Sequence, residues 1–177
     1  MTREQLEHVI RAAATISNDD EIVVVGSQSI LGRYPTAPSE LLVSNEADVY
    51  PKNHPELADL IDGSIGELSP FHDTFGYYAQ GVGPETAVLP VSWQSRVVEI
   101  RTPATRGAVG LCLEPHDLLI SKYVAGREKD RRFAKDALRY GLVSPGTLRE
   151  RLAETSVDDA TRSRVAAAIA ADAEGSA

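Results

Sequence analysis

The feature that most constrains the fold is a short apolar run, residues 22–25, which ends abruptly in Gly26 and Ser27. The run contains no polar residue, and a strand without polar alternation is typical of a sheet that helices cover on both faces. A glycine and a serine directly after such a strand predict a tight turn, and residues 27–32 are expected to begin a short helix. We therefore predict a strand, a turn and a helix near the start of an α/β fold.

Two carboxylates follow in the second predicted strand, residues 46–50, which Pro51 is expected to end. Because side chains alternate along a strand, Glu46 and Asp48 should project from the same face. Two negative charges held that close need a cation. Mg²⁺ and Mn²⁺ take oxygen ligands and connect carboxylates to nucleotide phosphates in phosphoryl transfer. The pair, which we expect on an edge strand, therefore predicts a metal site in a nucleotide-using enzyme.

Length and composition are those of one globular domain: 177 residues, of which 42% are hydrophobic and 25% charged. The net charge of -8 argues against a protein that coats duplex nucleic acid. No apolar run approaches the roughly 20 residues of a membrane span, and the first ten residues lack the order of a signal peptide. We therefore expect a cytoplasmic protein without a membrane segment.

The remaining pattern divides the chain into a sheet-forming part and a helical part. Residues 1–114 are expected to form an α/β core and residues 115–177 a helical part packed on it, within a single compact domain. Leu6, Val9, Ile10 and Ala13 recur at helical spacing. The other expected helices are 55–61, with Leu57, Leu60 and Ile61 turned inward, and 115–125, 127–140, 145–153 and 157–172. The other expected strands are 96–101 and 109–113. Residues 63–90, rich in Gly and Pro, predict an ordered loop region or short strands.

Two charged residues fall on apolar faces of the predicted helices. Lys122 lies in line with Leu118 and Leu119, and Asp130 precedes Phe133 by one helical step. An aspartate is rarely buried without a partner, so we expect Lys122 and Asp130 to lie close together. They could form an ion pair that fixes two consecutive helices. Alternatively, Lys122 could hold a triphosphate oxygen while Asp130 orients it.

Two blocks of residues carry a resemblance to a known superfamily. The first is Val25-Gly26-Ser27 followed by Glu46-Ala47-Asp48-Val49, and the second is Lys122-Tyr123-Val124-Ala125 followed by Arg127-Glu128-Lys129-Asp130. In these blocks the chain resembles the nucleotidyltransferase superfamily in its minimal bacterial form, the AbiEii-like and related toxin-type enzymes. The resemblance implies a mixed sheet flanked by helices, with a helical C-terminal part.

The resemblance also implies roles for individual residues. Gly26 and Ser27 would contact the nucleotide phosphates, and Glu46 and Asp48 would bind Mg²⁺ or Mn²⁺. Lys122, Arg127 and Asp130 would contribute to the nucleotide site. The chain departs from the family pattern in a longer interval before Glu46, in a glutamate where aspartate is commoner, and in the lack of an obvious third carboxylate. Glu99 is the candidate for that third acid, which would help to activate the attacking hydroxyl; a plain strand residue and a salt-bridge partner are the alternatives.

The expected activity is transfer of a nucleoside monophosphate from a nucleoside triphosphate to a hydroxyl group. The acceptor would be an RNA, such as a transfer RNA, or a protein. Basic residues between 127 and 139 could contact RNA phosphates, although such a run is commonly a solvated helix face. Two alternatives keep the same fold: a component of a toxin-antitoxin pair that modifies its partner, and a catalytically degenerate nucleotide-binding or regulatory module.

Overall fold

The segments predicted as the first two strands are neighbours in a five-stranded mixed sheet. The computed structural model describes residues 1–175. Its strands are β1 (Glu21–Val24), β2 (Glu46–Pro51), β3 (Tyr78–Gly81), β4 (Val98–Ile100) and β5 (Val109–Cys112). Their order across the sheet is β3-β2-β1-β5-β4. The pairs β1/β5 and β2/β3 are parallel, whereas β1/β2 and β4/β5 are antiparallel. The predicted α/β class with a mixed sheet is confirmed.

Eight α-helices accompany the sheet within residues 1–175. They are α1 (Arg3–Ser17), α2 (Ile30–Arg33), α3 (Ala58–Ile65), α4 (Pro70–Phe75), α5 (Pro115–Ala125), α6 (Glu128–Arg139), α7 (Pro145–Ala153) and α8 (Asp159–Glu174). The chain divides into two units. The first contains residues 1–86 and 97–113, and therefore the whole sheet; the second contains residues 87–96 and the chain from Glu114 onward. The predicted helical C-terminal part is confirmed.

In the first unit, α1 packs on the sheet through the apolar stripe that the sequence predicts. The helix begins with a capping box, in which the side chains of Thr2 and Gln5 each accept a hydrogen bond from the other residue's backbone N–H. Its inward residues Leu6, Val9 and Ile10 are fully buried. A Cβ at position 110 would overlap the Ile10 side chain, so Gly110 allows the helix to approach β5. Burial of each such aliphatic side chain contributes about 1.5–3 kcal/mol.

Residues 63–90, predicted as an ordered loop region or short strands, contain the end of α3, the helix α4, the strand β3 and a short 3-10 helix, Pro84–Thr86. Ser69 accepts a hydrogen bond from the backbone of His72 and so caps α4, and Pro70 occupies a first-turn position of that helix. The strand β3 lies outside β2, so the expectation that residues 46–50 form an edge strand is wrong: β2 has a neighbour on each side. The inward orientation expected of Leu60 is also wrong, because that side chain is exposed.

In the second unit, α5 packs against α6, α7 and α8. The side chains of Glu114, Ser144 and Asp158 cap α5, α7 and α8 at their N-termini. Residues 87–96 are tied to this helical group by a hydrogen bond from Val91 N–H to the Glu154 carbonyl. None of the helices within residues 1–175 is long and apolar enough to cross a membrane.

Candidate functional site

The turn after β1 and the carboxylate of Asp48 are in direct contact. Val25 N–H donates to the Asp48 carbonyl at 3.0 Å, which aligns the end of β1 with the middle of β2. A Cβ added at Gly26 would overlap Asp48 Oδ2. The backbone of Gly26, with φ -81°, is one that any residue adopts. Glycine is therefore required here by space: the carboxylate occupies the volume that a side chain would fill.

Glu46 and Asp48 project from one face of β2, as strand alternation predicts, and both side chains are partly exposed. Ala47 and Val49, which project from the opposite face, are fully buried. Ser44 fixes the backbone at the start of the strand, because its hydroxyl oxygen accepts from Glu46 N–H at 3.0 Å and donates to the Glu46 carbonyl at 3.2 Å. The two carboxylates thus project from a strand whose backbone Ser44 anchors at its start.

The partner of the Glu46 carboxylate is Tyr78, which the sequence did not single out for this site. Tyr78 lies opposite Glu46 in the β2/β3 ladder, and its hydroxyl donates to Glu46 Oε2 at 3.0 Å. Burial, this hydrogen bond and the negative charges of Glu46, Glu67 and Asp48 raise the pKa of Tyr78 to about 12. The hydroxyl is therefore protonated at neutral pH and remains a donor.

Glu99 is not brought to the two carboxylates. Strand register places it on the same face of the sheet, opposite Leu111, but β1 and β5 lie between β4 and β2. Three strand spacings separate the backbones by about 14 Å. Glu99 is exposed and its side chain makes no hydrogen bond or ion pair with any described residue. The alternative interpretation of Glu99 as a salt-bridge partner is therefore not supported by any contact within residues 1–175.

The strand β3, which pairs with β2, carries neutral side chains at the two positions where a third acid could lie beside Glu46 and Asp48. Tyr78 and Gln80 lie opposite Glu46 and Asp48 in the ladder. Gln80 Nε2 donates to Asp62 Oδ1 on α3 at 2.9 Å. Within residues 1–175 no three His, Cys, Asp or Glu side chains are grouped so that they could hold a metal ion by themselves. The pair of carboxylates is therefore the donor set that this site offers.

Lys122 and Asp130, in the second unit, lie together as expected. Lys122 Nζ is 3.2 Å from Asp130 Oδ1, and Arg127 Nε donates to Asp130 Oδ2 at 2.6 Å. Lys122 Nζ also lies 4.5 Å from the centre of the Phe133 ring. Burial opposes ionisation of Asp130, but hydrogen bonds and charges from Arg127 and Lys122 hold its pKa below the ordinary value. This geometry is that of an ion-paired helical hairpin.

Most basic residues between 127 and 139 are paired with carboxylates. Ion pairs join Arg127 to Asp130, Arg131 and Lys135 to Asp172, Arg132 to Glu128, and Arg139 to Asp136. The pair of Arg132 with Glu128 is exposed on both sides and contributes about 0–1 kcal/mol, whereas Asp130 and Asp172 are buried. These pairs occupy most of the basic side chains in the run, so they give no specific support to the expected contact with RNA phosphates.

Sequence comparison identifies the family. A family model described as "Nucleotidyltransferase of unknown function (DUF6036)" matches residues 4–171. Searches of curated proteins and of solved structures gave no match. The resemblance to the nucleotidyltransferase superfamily, predicted from the two blocks of residues, is confirmed by this match. Because the matched region spans nearly the whole sequence, the chain belongs to this nucleotidyltransferase family of unknown function.

Proposed function

We propose that the protein transfers a nucleoside monophosphate from a nucleoside triphosphate to a hydroxyl group, with a divalent cation held by Glu46 and Asp48. The hydroxyl oxygen would form a bond to the α-phosphorus while the bond from that phosphorus to the bridging oxygen breaks, so that pyrophosphate and the hydroxyl proton leave. The observation that carries the proposal is the contact between Asp48 Oδ2 and the side-chain-free Gly26. It joins the two halves of the first sequence block, the turn and the acidic pair. Membership of a nucleotidyltransferase family makes a nucleoside triphosphate the expected substrate.

The donor set fits Mg²⁺ or Mn²⁺ bound together with a nucleotide. Mg²⁺ is commonly held by one or two carboxylates plus substrate phosphates, rather than by a complete cage of protein ligands. Glu46 and Asp48 supply two carboxylates from one strand face, and the triphosphate would supply further oxygens. A bound cation would neutralise the phosphate charge that opposes attack by the acceptor hydroxyl. We expect cation binding to be weak without nucleotide and much stronger with it.

The turn residues and the ion-paired group around Asp130 also have roles in the proposal, and the structure supports the first set better than the second. Gly26 and Ser27 would contact the triphosphate beside Asp48. Lys122 would hold a phosphate oxygen, with Asp130 and Arg127 orienting it, but all three already form an ion-paired group. Lys122→Met separates the two interpretations of that group. A purely structural lysine predicts a lower melting temperature with an unchanged KM for the triphosphate, whereas a nucleotide contact predicts a raised KM.

The acceptor is an RNA or a protein. Incubation of the purified protein with α-labelled triphosphates, Mg²⁺ or Mn²⁺, and separate RNA and protein fractions of a cell extract should label one fraction. The same fractions test a role in a toxin-antitoxin pair, in which the labelled species would be a single partner protein or its RNA target. We propose that the reaction takes place in the cytoplasm.

Asp48→Asn decides whether labelling depends on the proposed site. The variant should lose transfer by at least about 100-fold, because a charged ligand beside the phosphates is removed. Asp59→Asn is the matched control, since Asp59 is an exposed carboxylate on α3 of the same unit. Equal labelling by wild type and Asp48→Asn would contradict the assignment.

A catalytically degenerate nucleotide-binding module is the second candidate. Tyr78 and Gln80 stand beside the acidic pair where a third acid could have activated the acceptor, and this observation favours the module. Calorimetry distinguishes the two candidates. Binding of a triphosphate with Mg²⁺, without any labelled product, would identify a module; binding with transfer identifies the enzyme.

A further inference from the structure

Four residues of the first unit form a continuous row of contacts that ends on Glu46. Leu68 N–H donates to His72 Nδ1 at 3.1 Å. The His72 ring lies against the Tyr78 ring, with 4.6 Å between their centres and 46° between their planes. The Tyr78 hydroxyl donates to Glu46 Oε2 at 3.0 Å. The row therefore connects the turn before α4 to one of the two carboxylates.

At the end away from Glu46, the contacts of this row are fixed by a hydrogen bond between Leu68 and His72. His72 belongs to α4, and because its Nδ1 accepts the bond from Leu68, the neutral ring carries its proton on Nε2. Leu68 adopts a φ of 61°, in the left-handed region that costs a non-glycine residue about 1–2 kcal/mol. Leu68 is 82% exposed, so packing of its side chain does not explain the conformation. The strained backbone does direct the N–H of Leu68 at the ring of His72.

Tyr78 is also fixed at its backbone. Its N–H donates to the Asn45 carbonyl at 3.0 Å, within the parallel pairing of β3 with β2. A phenol ring held by a strand on one side and by His72 on another has little freedom to follow the carboxylate. The carboxylate of Glu46 must therefore adapt to the hydroxyl. Its Oε1 atom accepts no hydrogen bond from the described residues, which leaves that oxygen available to another ligand.

We propose that Tyr78 is a positioning residue for cation binding: its hydroxyl holds one oxygen of Glu46 so that the other oxygen faces the cation. The inference rests on the proposed function, in which Glu46 and Asp48 bind the metal. It also accounts for a glutamate at position 46. Glutamate has one more rotatable bond than aspartate, and ordering that bond costs entropy on ligand binding. A donor that fixes the carboxylate in advance removes this cost, as outer hydrogen bonds do for metal ligands in general.

Mn²⁺ binding in the presence of a non-hydrolysable triphosphate tests the inference without any measurement of activity. Electron paramagnetic resonance follows free Mn²⁺ in wild type, Tyr78→Phe, Glu46→Asp and the double variant. The same mixture without protein is subtracted, because the triphosphate itself binds Mn²⁺. Tyr78→Phe should weaken Mn²⁺ binding about 10-fold, the lower end of the range for lost outer hydrogen bonds. In the Glu46→Asp background, where the shorter side chain no longer reaches the hydroxyl, Tyr78→Phe should have no further effect.

Tyr77→Phe is the matched control. Tyr77 precedes Tyr78 and its hydroxyl bonds to His8 Nδ1 at 2.8 Å, away from the acidic pair. This variant should bind Mn²⁺ as wild type does. If Tyr78→Phe does not fold, His72→Ala and its combination with Glu46→Asp replace it. His72→Ala removes the ring that restrains Tyr78 and should weaken Mn²⁺ binding about 3-fold, part of the loss expected for an outer-sphere change.

The outcomes separate the inference from the function on which it rests. If wild type with triphosphate binds no Mn²⁺, the proposed metal site fails, and the inference with it. If wild type binds Mn²⁺ but Tyr78→Phe binds equally well or more tightly, the inference alone is overturned. The same holds if Tyr78→Phe weakens binding equally in both backgrounds, since Tyr78 would then act by a route other than Glu46.

Discussion

The carboxylates of the second unit and Glu46 of the first unit have different partners. Asp117, Asp130 and Asp172 are each at most 3% exposed, and each forms an ion pair with arginine. Glu46 instead accepts a hydrogen bond from the neutral hydroxyl of Tyr78 and forms no ion pair with any described residue. The second unit thus neutralises its buried charges internally. In the first unit the charge of Glu46 remains available for a ligand.

The largest expected effect comes from breaking the most buried pair of the second unit. Arg96 holds both oxygens of Asp117 at 2.9 and 3.0 Å, and Arg151 Nε lies 3.3 Å away. Asp117→Ala would leave two partly buried guanidinium groups without this partner, so the free energy of unfolding should fall by about 3–5 kcal/mol. Urea denaturation measures the loss. Glu150→Ala, an exposed change on α7, should stay within about 0.5 kcal/mol, and a similar loss in both variants would contradict the comparison.

A smaller loss of stability, with a selective loss of binding, is expected at the turn of the first unit. Gly26→Ala places a methyl group on Asp48 Oδ2, and overpacking of this kind costs about 1–3 kcal/mol. The displaced carboxylate should also lose nucleotide-dependent Mn²⁺ binding. Gly63→Ala is the control, because a Cβ at position 63 meets no atom within 4 Å. Alanine also has a higher helix propensity than glycine, so this change should not destabilise α3. Normal Mn²⁺ binding by Gly26→Ala would show that Asp48 is not a ligand.

The ion pair of Asp130 should appear in the pH dependence of stability. Its pKa is held below the ordinary 3.8, so the pair stabilises the folded state above that pH and loses its contribution as the pH falls through the folded-state pKa. Asp130→Asn should therefore lower the melting temperature at pH 7 and differ progressively less from wild type below pH 3.8. Glu46→Gln should change stability by less than about 1 kcal/mol at either pH, because the amide oxygen still accepts the bond from Tyr78. A constant difference between Asp130→Asn and wild type across this range would contradict the assignment.

The smallest expected effect concerns the strained turn. Leu68→Gly keeps the N–H that bonds to His72 and relieves the left-handed backbone, so the free energy of unfolding should rise by up to about 1 kcal/mol. Leu60→Gly, also an exposed leucine but inside α3, should lower it by about 1 kcal/mol. Thermal denaturation of the two variants shows whether each change raises or lowers the free energy of unfolding. A loss of stability in Leu68→Gly would mean that the leucine side chain has a packing role.

The sequence predicted the helical unit better than the sheet because helix signals are local. Apolar stripes and the glycine at position 126, which has a φ of 68°, define α5 and α6 within short windows. The strand β3 depends instead on pairing with β2, more than 25 residues earlier, and its own four residues carry little pattern. The helix α4 was missed although Ser69 and Pro70 are a local start signal.

The same distinction applies to the site. Alternation along one strand was enough to place Glu46 and Asp48 on one face. The contact between Gly26 and Asp48 requires the register of β1 with β2, which a single sequence does not encode locally. The bond between Tyr78 and Glu46 requires the register of β2 with β3, a strand that the sequence predicts only as one possibility within residues 63–90. Residue types at the site were therefore predictable, whereas their partners were not.

The ten residues 87–96 have a consequence for how the chain is made. They are synthesised before β4 and β5, yet their partners come much later: Pro90 bridges to Thr155, and Arg96 bonds to Asp117. During synthesis Arg96 gains this partner only after α5 has been made, and Pro90 gains its partner only after Thr155, which follows α7. A version of the protein that stops after Leu113 would keep residues 87–96 but lack Asp117 and Thr155, so this segment would lose both of these partners.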